Sequence, residues 1–150
     1  MTLKTIERPA QTLVGLQIRT RPMSPEIPAL WPAFVARIDE IPNAAEPRVS
    51  YGVMQYDAGT LEYTAAISVT AADRIPAGMT TVTLPAGTYA VFSYPLAGLG
   101  QGFCEIRDRI MPASNYREAP GRFFERYDEQ FDPTKPQSAV GIFIPVRAKA

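Results

Sequence analysis

An internal repeat constrains the fold of this 150-residue chain more than any other feature of its sequence. The predicted elements run strand, helix, strand, strand, and the same order then follows again. Pro9-Ala10-Gln11-Thr12 precedes the first strand and Pro85-Ala86-Gly87-Thr88 precedes the fourth, at an offset of 76 residues (85 − 9). Ala65–Val69 corresponds to Ile142–Val146 at an offset of 77 residues (142 − 65). Offsets near half the chain length, in the same order, predict a duplicated βαββ unit.

Hydrophobic spacing and turn residues define the predicted elements. A first helix is expected after Ser24, a good N-cap, and its apolar positions continue to Ile41. A second helix is expected to begin near Gly98 to Gly100 and to end at Pro112, because proline cannot continue a helix. The predicted strands are Gln11–Thr20, Tyr51–Asp57, Glu62–Thr70, Thr88–Tyr94, Phe123–Glu129 and Ala139–Val146.

These elements predict an α+β fold in a single domain over residues 1–150. Two βαββ halves, about residues 3–70 and 81–147, are expected to be related by a pseudo-two-fold axis and joined through Ala71 to Thr80. Their strands would form a mostly antiparallel curved sheet, or two abutting sheets, with the two helices packed across it. A central cleft between the halves is the place where we expect a ligand.

The residue types exclude several kinds of catalytic and metal site. Histidine is absent, which removes the usual imidazole base and the commonest metal ligand. We therefore expect no metal site and assign no catalytic residue. We also expect no cofactor. Cys104 is the only cysteine and falls in the apolar stripe of the second helix, where we expect a small buried side chain. Gly98 to Gly102 lacks the Lys-Ser/Thr pair of a phosphate-binding loop, and we interpret it as a loop entering that helix.

The charge balance argues against nucleic acid as a direct partner. Lys and Arg number 15 and Asp and Glu also number 15, so no basic excess exists to neutralise phosphates. No apolar run approaches the roughly 20 residues of a membrane-spanning helix, and the N-terminus lacks the apolar core of a signal peptide. We therefore expect a cytoplasmic protein without membrane contact. Whether it is a monomer or a homodimer is left open.

The segment Gly121–Glu129 contains the most informative pattern for a binding site. In a strand, Phe123, Glu125 and Tyr127 point to one side, so Glu125 shares its face with two aromatic rings. A carboxylate in such surroundings is costly to bury without compensation. A cationic ligand would compensate it, and so would protonation of the carboxyl group; a neighbouring arginine or an exposed edge would be the ordinary structural explanation.

Further aromatic residues supply surface for a pocket. The chain has seven tyrosines, and Tyr51, Tyr63 and Trp31 are candidates to line a ligand site beside the aromatic rings that flank Glu125. Ordinary packing in the core is the alternative for each of them taken singly.

Taken together, seven motifs resemble the GyrI-like, or AraC effector-binding, domain family over about residues 3–147. They are IERPAQTLVGL from Ile6, IPALWPAF from Ile27, YGV from Tyr51, YTAA from Tyr63, PAGTYAVF from Pro85, FERYDE from Phe124 and IPV from Ile144. The resemblance implies a duplicated βαββ fold whose cleft binds aromatic, often cationic, small molecules. It also implies that Glu125 is the characteristic buried glutamate of the pocket, and that Tyr63 and Trp31 face the same cleft.

The resemblance leaves three functions open. Small-molecule binding would serve to sense a compound for a partner protein or to sequester it. Because the resemblance covers nearly the whole sequence, we expect no DNA-binding domain beside it. Hydrolysis of reactive cyclopropane-containing compounds would use Glu125, with Tyr51 or Tyr127 as a proton donor. Aligning the halves on Tyr56 and Tyr127 (127 − 56 = 71) places Met54, which is not an acid, opposite Glu125, and this counts against the paired glutamates of hydrolytic members. The third function is protein interaction such as gyrase inhibition, which zero net charge does not support.

Overall fold

The computed structural model describes residues 3–149 and shows an α+β fold with one curved, antiparallel sheet. Its helical segments are α1 (Glu26–Val35) and α2 (Leu99–Glu105), the latter prolonged by a π-turn at Ile106–Ile110 and a last turn at Met111–Ala113. The strands in the described part are β1 Thr5–Arg8, β2 Gln11–Thr20, β3 Ser50–Asp57, β4 Thr60–Val69, β5 Thr80–Leu84, β6 Gly87–Pro95, β7 Tyr116–Glu118, β8 Phe123–Tyr127 and β9 Ala139–Ala148.

The order of the strands shows the duplication directly. Neighbouring strands follow the order β1-β6-β9-β8-β3-β4-β2-β5, and β7 pairs with β9 outside this path. The first half contributes β1, β2, β3 and β4, whose equivalents in the second half are β5, β6, β8 and β9. Replacing each strand by its equivalent gives the same order read backwards. A pseudo-two-fold axis therefore passes between β3 and β8, as the repeat predicted.

Each half begins with a strand that the sequence pattern does not predict. β1 pairs with β6 of the second half, and β5 pairs with β2 of the first half, so the two halves exchange their leading strands. The repeating unit is thus ββαββ rather than βαββ. β1 and β5 have only four and five residues, and their partners lie in the other half of the chain. No local sequence pattern therefore predicts these two strands. The three-residue β7 was also missed.

The first helix begins as predicted and ends earlier. The hydroxyl of Ser24 accepts a hydrogen bond of 3.1 Å from the backbone N–H of Glu26, which is the expected cap. The helix ends at Val35 because Arg37 leaves the helical region, and a 3₁₀ turn follows at Ile38–Glu40. Ile41 reaches the core from extended backbone after this turn, so its apolar character was not evidence for a longer helix.

The two faces of the sheet bury two separate hydrophobic clusters. The face that carries the helices includes Phe34 of α1, Ile106 of the π-turn and Phe123 of β8. The opposite face includes Tyr51 of β3 and Phe124 of β8, together with Leu13, Tyr89 and Phe143. Within residues 3–149 no helix has the length and apolar content to cross a membrane.

Candidate ligand-binding cleft

Glu125 is a buried carboxyl group at the centre of a chain of hydrogen bonds. Its side chain lies on the helix face of β8, and the residue is only 7% exposed. The hydroxyl groups of Tyr63 and Tyr127 both donate to its Oε1, at 2.9 and 2.7 Å. The indole N–H of Trp31 in turn donates to the Tyr63 hydroxyl at 3.0 Å. Helix α1 and strands β4 and β8 thus combine to hold one carboxyl group.

Burial dominates the protonation of this group. Removal from water raises the pKa of Glu125. The hydrogen bonds from the two tyrosines favour the charged form and offset part of this rise. Burial, and next the charge of Glu125, raise the pKa of both Tyr63 and Tyr127 well above that of a free phenol. The two phenols therefore remain hydrogen-bond donors throughout the neutral range.

Gly52 supplies the space in which these groups meet. It lies directly opposite Glu125 in the pairing of β3 with β8. A Cβ atom at this position would lie 2.3 Å from the Tyr63 hydroxyl oxygen and 2.6 Å from Oε1 of Glu125. The sequence motifs do not single out Gly52, although a glycine inside a strand is a known sign of close approach by another group.

A cleft of about 550 Å³ opens beside Glu125, within the size range of small-molecule sites. Phe123, Tyr63 and Glu125 line it, together with mostly apolar side chains from the α1 entry loop, β3, β4 and α2. Both hydrogen bonds go to Oε1, and Oε2 of Glu125 accepts none from the side chains of the described residues. Glu125 is one of the residues that line the cleft, so its carboxyl group borders the space that a ligand would occupy.

Polar side chains at the rim come from the π-turn of the second helical segment. Arg107 and Asp108 lie on this turn and line the cleft. The π-turn has a local cause, because Pro112 lacks the N–H that an α-helix would direct at the carbonyl of Asp108. In the sequence, Pro112 predicts the end of the helix but does not indicate either of these rim residues.

The six candidate residues occupy three different places. Phe123, Tyr63 and Glu125 line the cleft, whereas Trp31 and Tyr127 do not line it and contact each other with ring centroids 5.1 Å apart. Tyr127 donates a hydrogen bond to Glu125 directly, whereas Trp31 donates to Tyr63, which in turn donates to Glu125.

Tyr51, the sixth, lies on the opposite face of the sheet. It pairs with Arg126 across β3 and β8, one residue out of phase with Glu125, so its side chain points the other way. There its hydroxyl donates to Glu46 at 2.5 Å and accepts from Arg126 at 3.3 Å. Tyr51 therefore cannot be the proton donor to Glu125 that the sequence left open.

The strand register also corrects the alignment of the two halves near Glu125. Ala65 of β4 corresponds to Ile142 of β9; Gly52 pairs with Ala65, and Glu125 pairs with Ile142. Gly52, not Met54, is therefore the equivalent of Glu125. The alignment on two tyrosines was wrong by two residues because it ignored the pairing between strands.

The predicted burial of the lone cysteine is also wrong. Cys104 is exposed and lines the cleft, whereas its position in the apolar stripe had predicted burial. Phe103 and Ile106 take the inner side of the helix instead. In the described part of the chain, no three His, Cys, Asp or Glu side chains converge on a place for a metal ion.

Comparison with known proteins identifies the family. Residues 1–147 match the GyrI-like small molecule binding domain, and the chain belongs to this family. The resemblance inferred from the motifs is confirmed. The fold and the central cleft thus belong to a domain that binds small molecules.

Individual relatives illustrate the range of proteins that share the fold. The transcriptional regulator BrlR of Pseudomonas aeruginosa is 31% identical over 150 residues, covering 97% of this chain and 56% of BrlR, so the chain spans about half the length of that relative. The structure of SAV2435 bound to tetraphenylphosphonium matches with a TM-score of 0.77 and 21% identity, covering 98% of this chain and 94% of that one. A hydrolase from Listeria innocua matches with a TM-score of 0.56 and 11% identity, covering 97% and 92%. The last two likenesses show the fold alone.

Proposed function

We propose that the cleft binds aromatic cations and that the carboxylate of Glu125 neutralises the positive charge of the ligand. One observation carries the proposal: Glu125 is a buried acid that lines the cleft. No Lys or Arg of the described residues forms an ion pair with it. An aromatic cation would supply the positive charge that compensates the buried carboxylate.

The surroundings of Glu125 favour a cation that is also aromatic. A small hydrated ion would lose its water in an apolar cleft, whereas a delocalised aromatic cation loses little hydration and gains contact with ring faces. Phe123 and Tyr63 provide such rings beside the carboxyl group. The ligand bound by SAV2435, tetraphenylphosphonium, is a compound of this class.

Ligand binding gives this protein one of two roles: it senses a compound and passes the signal to a partner protein, or it sequesters a toxic compound. We favour both over hydrolysis because Gly52 stands where the repeat would need a second acid beside Glu125. The similarity to BrlR, a transcriptional regulator, supports the sensor role.

The test compares ligands of similar shape and different charge. Tetraphenylphosphonium, neutral triphenylphosphine oxide and anionic tetraphenylborate are titrated into the protein by calorimetry, in parallel with the fluorescence of Trp31, the only tryptophan. We expect the cation to bind most tightly. Glu125→Gln should weaken it by about 1–3 kcal/mol, the scale of losing a charge-assisted contact, and should change the affinity of the neutral ligand much less.

The control is Asp39→Asn, which changes the net charge of the protein by the same amount as Glu125→Gln. Asp39 is an exposed residue of the 3₁₀ turn and does not line the cleft. It should leave all three affinities unchanged. Equal losses for the cation and the neutral ligand in Glu125→Gln, or no loss for either, would rule out the electrostatic role of Glu125.

A further inference from the structure

Arg107 places a positive charge against the aromatic wall of the cleft. Its guanidinium carbon lies 4.6 Å from the ring centroid of Phe123 and 5.5 Å from that of Tyr56. The two rings are 5.7 Å apart and tilted by only 30°, so one guanidinium group contacts both. All three residues line the cleft. Arg107 thus occupies the kind of place that an aromatic cation prefers.

The polar contacts of Arg107 are long for hydrogen bonds. Its guanidinium lies 3.3 and 3.4 Å from the carboxylate oxygens of Glu118 and 3.5 Å from the hydroxyl of Tyr56. The side chains of Arg107 and Glu118 are 28% and 35% exposed, so water screens their attraction. The ion pair with Glu118 therefore holds the guanidinium over the rings only weakly.

Arg107 and Glu125 lie at different depths of the same cleft. Phe123, under the guanidinium, precedes Glu125 by two residues on the same face of β8, which is about 7 Å along a strand. Arg107 is partly exposed, and Glu125 is buried. Asp108 adds a negative charge at the rim and has no ion-pair partner among residues 3–149. A cation that enters from the solvent side meets the acidic rim and the guanidinium before it reaches Glu125.

From this arrangement we infer that Arg107 is a resident cation that determines the specificity of the cleft. An aromatic ligand stacks on Phe123 and Tyr56 only after it displaces the guanidinium, and ligands that do not use these rings leave Arg107 in place. The inference rests on the proposed function, because it assumes that aromatic ligands enter this cleft.

The test uses Arg107→Gln, which removes both the charge and the planar group. Dissociation constants are measured for tetraphenylphosphonium and for neutral triphenylphosphine oxide. We expect both ligands to bind more tightly in the variant, by about two- to fivefold, the scale of one cation–π contact at an exposed site. Arg107→Lys keeps the charge but lacks the planar group that stacks on rings, so it should retain part of the gain for the neutral ligand.

The matched control is Arg109→Gln, two residues along the same helical segment, where the arginine is 67% exposed and does not line the cleft. It should change neither constant. A gain confined to the cation would identify a long-range charge effect and overturn the inference, as would unchanged or weaker binding of both ligands. Thermal unfolding of each variant shows whether the fold is intact.

The same measurements separate the two proposals. If tetraphenylphosphonium binds and depends on Glu125 but not on Arg107, the inference about Arg107 fails and the proposed function stands. If neither the wild type nor Arg107→Gln binds the aromatic ligands, the proposed function fails and the inference fails with it.

Discussion

Gly52 and Glu125 lie directly opposite each other on β3 and β8, at equivalent positions of the two halves. The pseudo-two-fold axis therefore passes through a pair in which one half supplies a carboxyl group and the other supplies no side chain. The missing side chain leaves the space in which Oε1 of Glu125 accepts the hydrogen bond from Tyr63. The duplicated fold thus carries a single acid at its centre.

Gly52→Ala should disrupt this arrangement. The new methyl group would overlap the Tyr63 hydroxyl and the Glu125 carboxyl, and overpacking of this kind costs about 1–3 kcal/mol of folding free energy. Urea unfolding measures the loss. Gly87→Ala is the control, because a Cβ atom there meets nothing within 4 Å, and its stability should be near that of the wild type. Equal stability of the two variants would contradict the close approach at Gly52.

The raised pKa of Glu125 should appear in the pH dependence of stability. A carboxyl group whose folded-state pKa is raised holds its proton more tightly in the folded protein, so its contribution is complete at low pH and is lost as the pH rises through the raised value. Glu125→Gln removes this loss. The stability of the variant relative to the wild type should therefore increase as the pH rises above about 4, the ordinary value for glutamate. A difference that stays constant between pH 4 and 8 would show that Glu125 titrates normally.

Tyr63→Phe and Tyr127→Phe should each weaken the binding of tetraphenylphosphonium at neutral pH. Each substitution removes one hydrogen bond to Glu125, which raises the pKa of that group further and reduces the fraction that is charged. We expect losses of about 1–3 kcal/mol in binding free energy. Tyr63→Phe should also destabilise the fold more than Tyr127→Phe, because it leaves the indole N–H of Trp31 without its acceptor. Calorimetry and urea unfolding measure the two effects separately.

Tyr51→Phe should lower stability without changing ligand affinity. The Tyr51 hydroxyl donates to Glu46 and accepts from Arg126 and Arg8, all on the face away from the cleft. Loss of hydrogen bonds to charged groups costs about 1–3 kcal/mol. The pKa of Glu46 is lowered despite partial burial because Tyr51 and then Arg126 hydrogen-bond to it, so Tyr51→Phe should raise it. A clear change in tetraphenylphosphonium affinity would place Tyr51 in the binding site after all.

The sequence by itself determined the duplication and the faces of β8, and its resemblance to a known family indicated Glu125 as the buried acid. These features are local or repeated: Phe123 and Tyr127 flank Glu125 at a spacing that a strand places on one side, and the offsets of 76 and 77 residues persist in the sheet. Strand alternation and internal similarity need no knowledge of long-range contacts.

The tertiary structure decided which residues meet. The pairing of strands within each half shows that Gly52, rather than Met54, is equivalent to Glu125, and the pairing of β3 with β8 across the axis shows that Tyr51 lies on the other face. The same holds for β1 and β5, whose partners lie across the axis, and for Arg107, which a proline-induced π-turn places over Phe123. Register and helix rotation depend on the whole sheet and its packing, so short-range patterns contain the candidates for the site but not their arrangement.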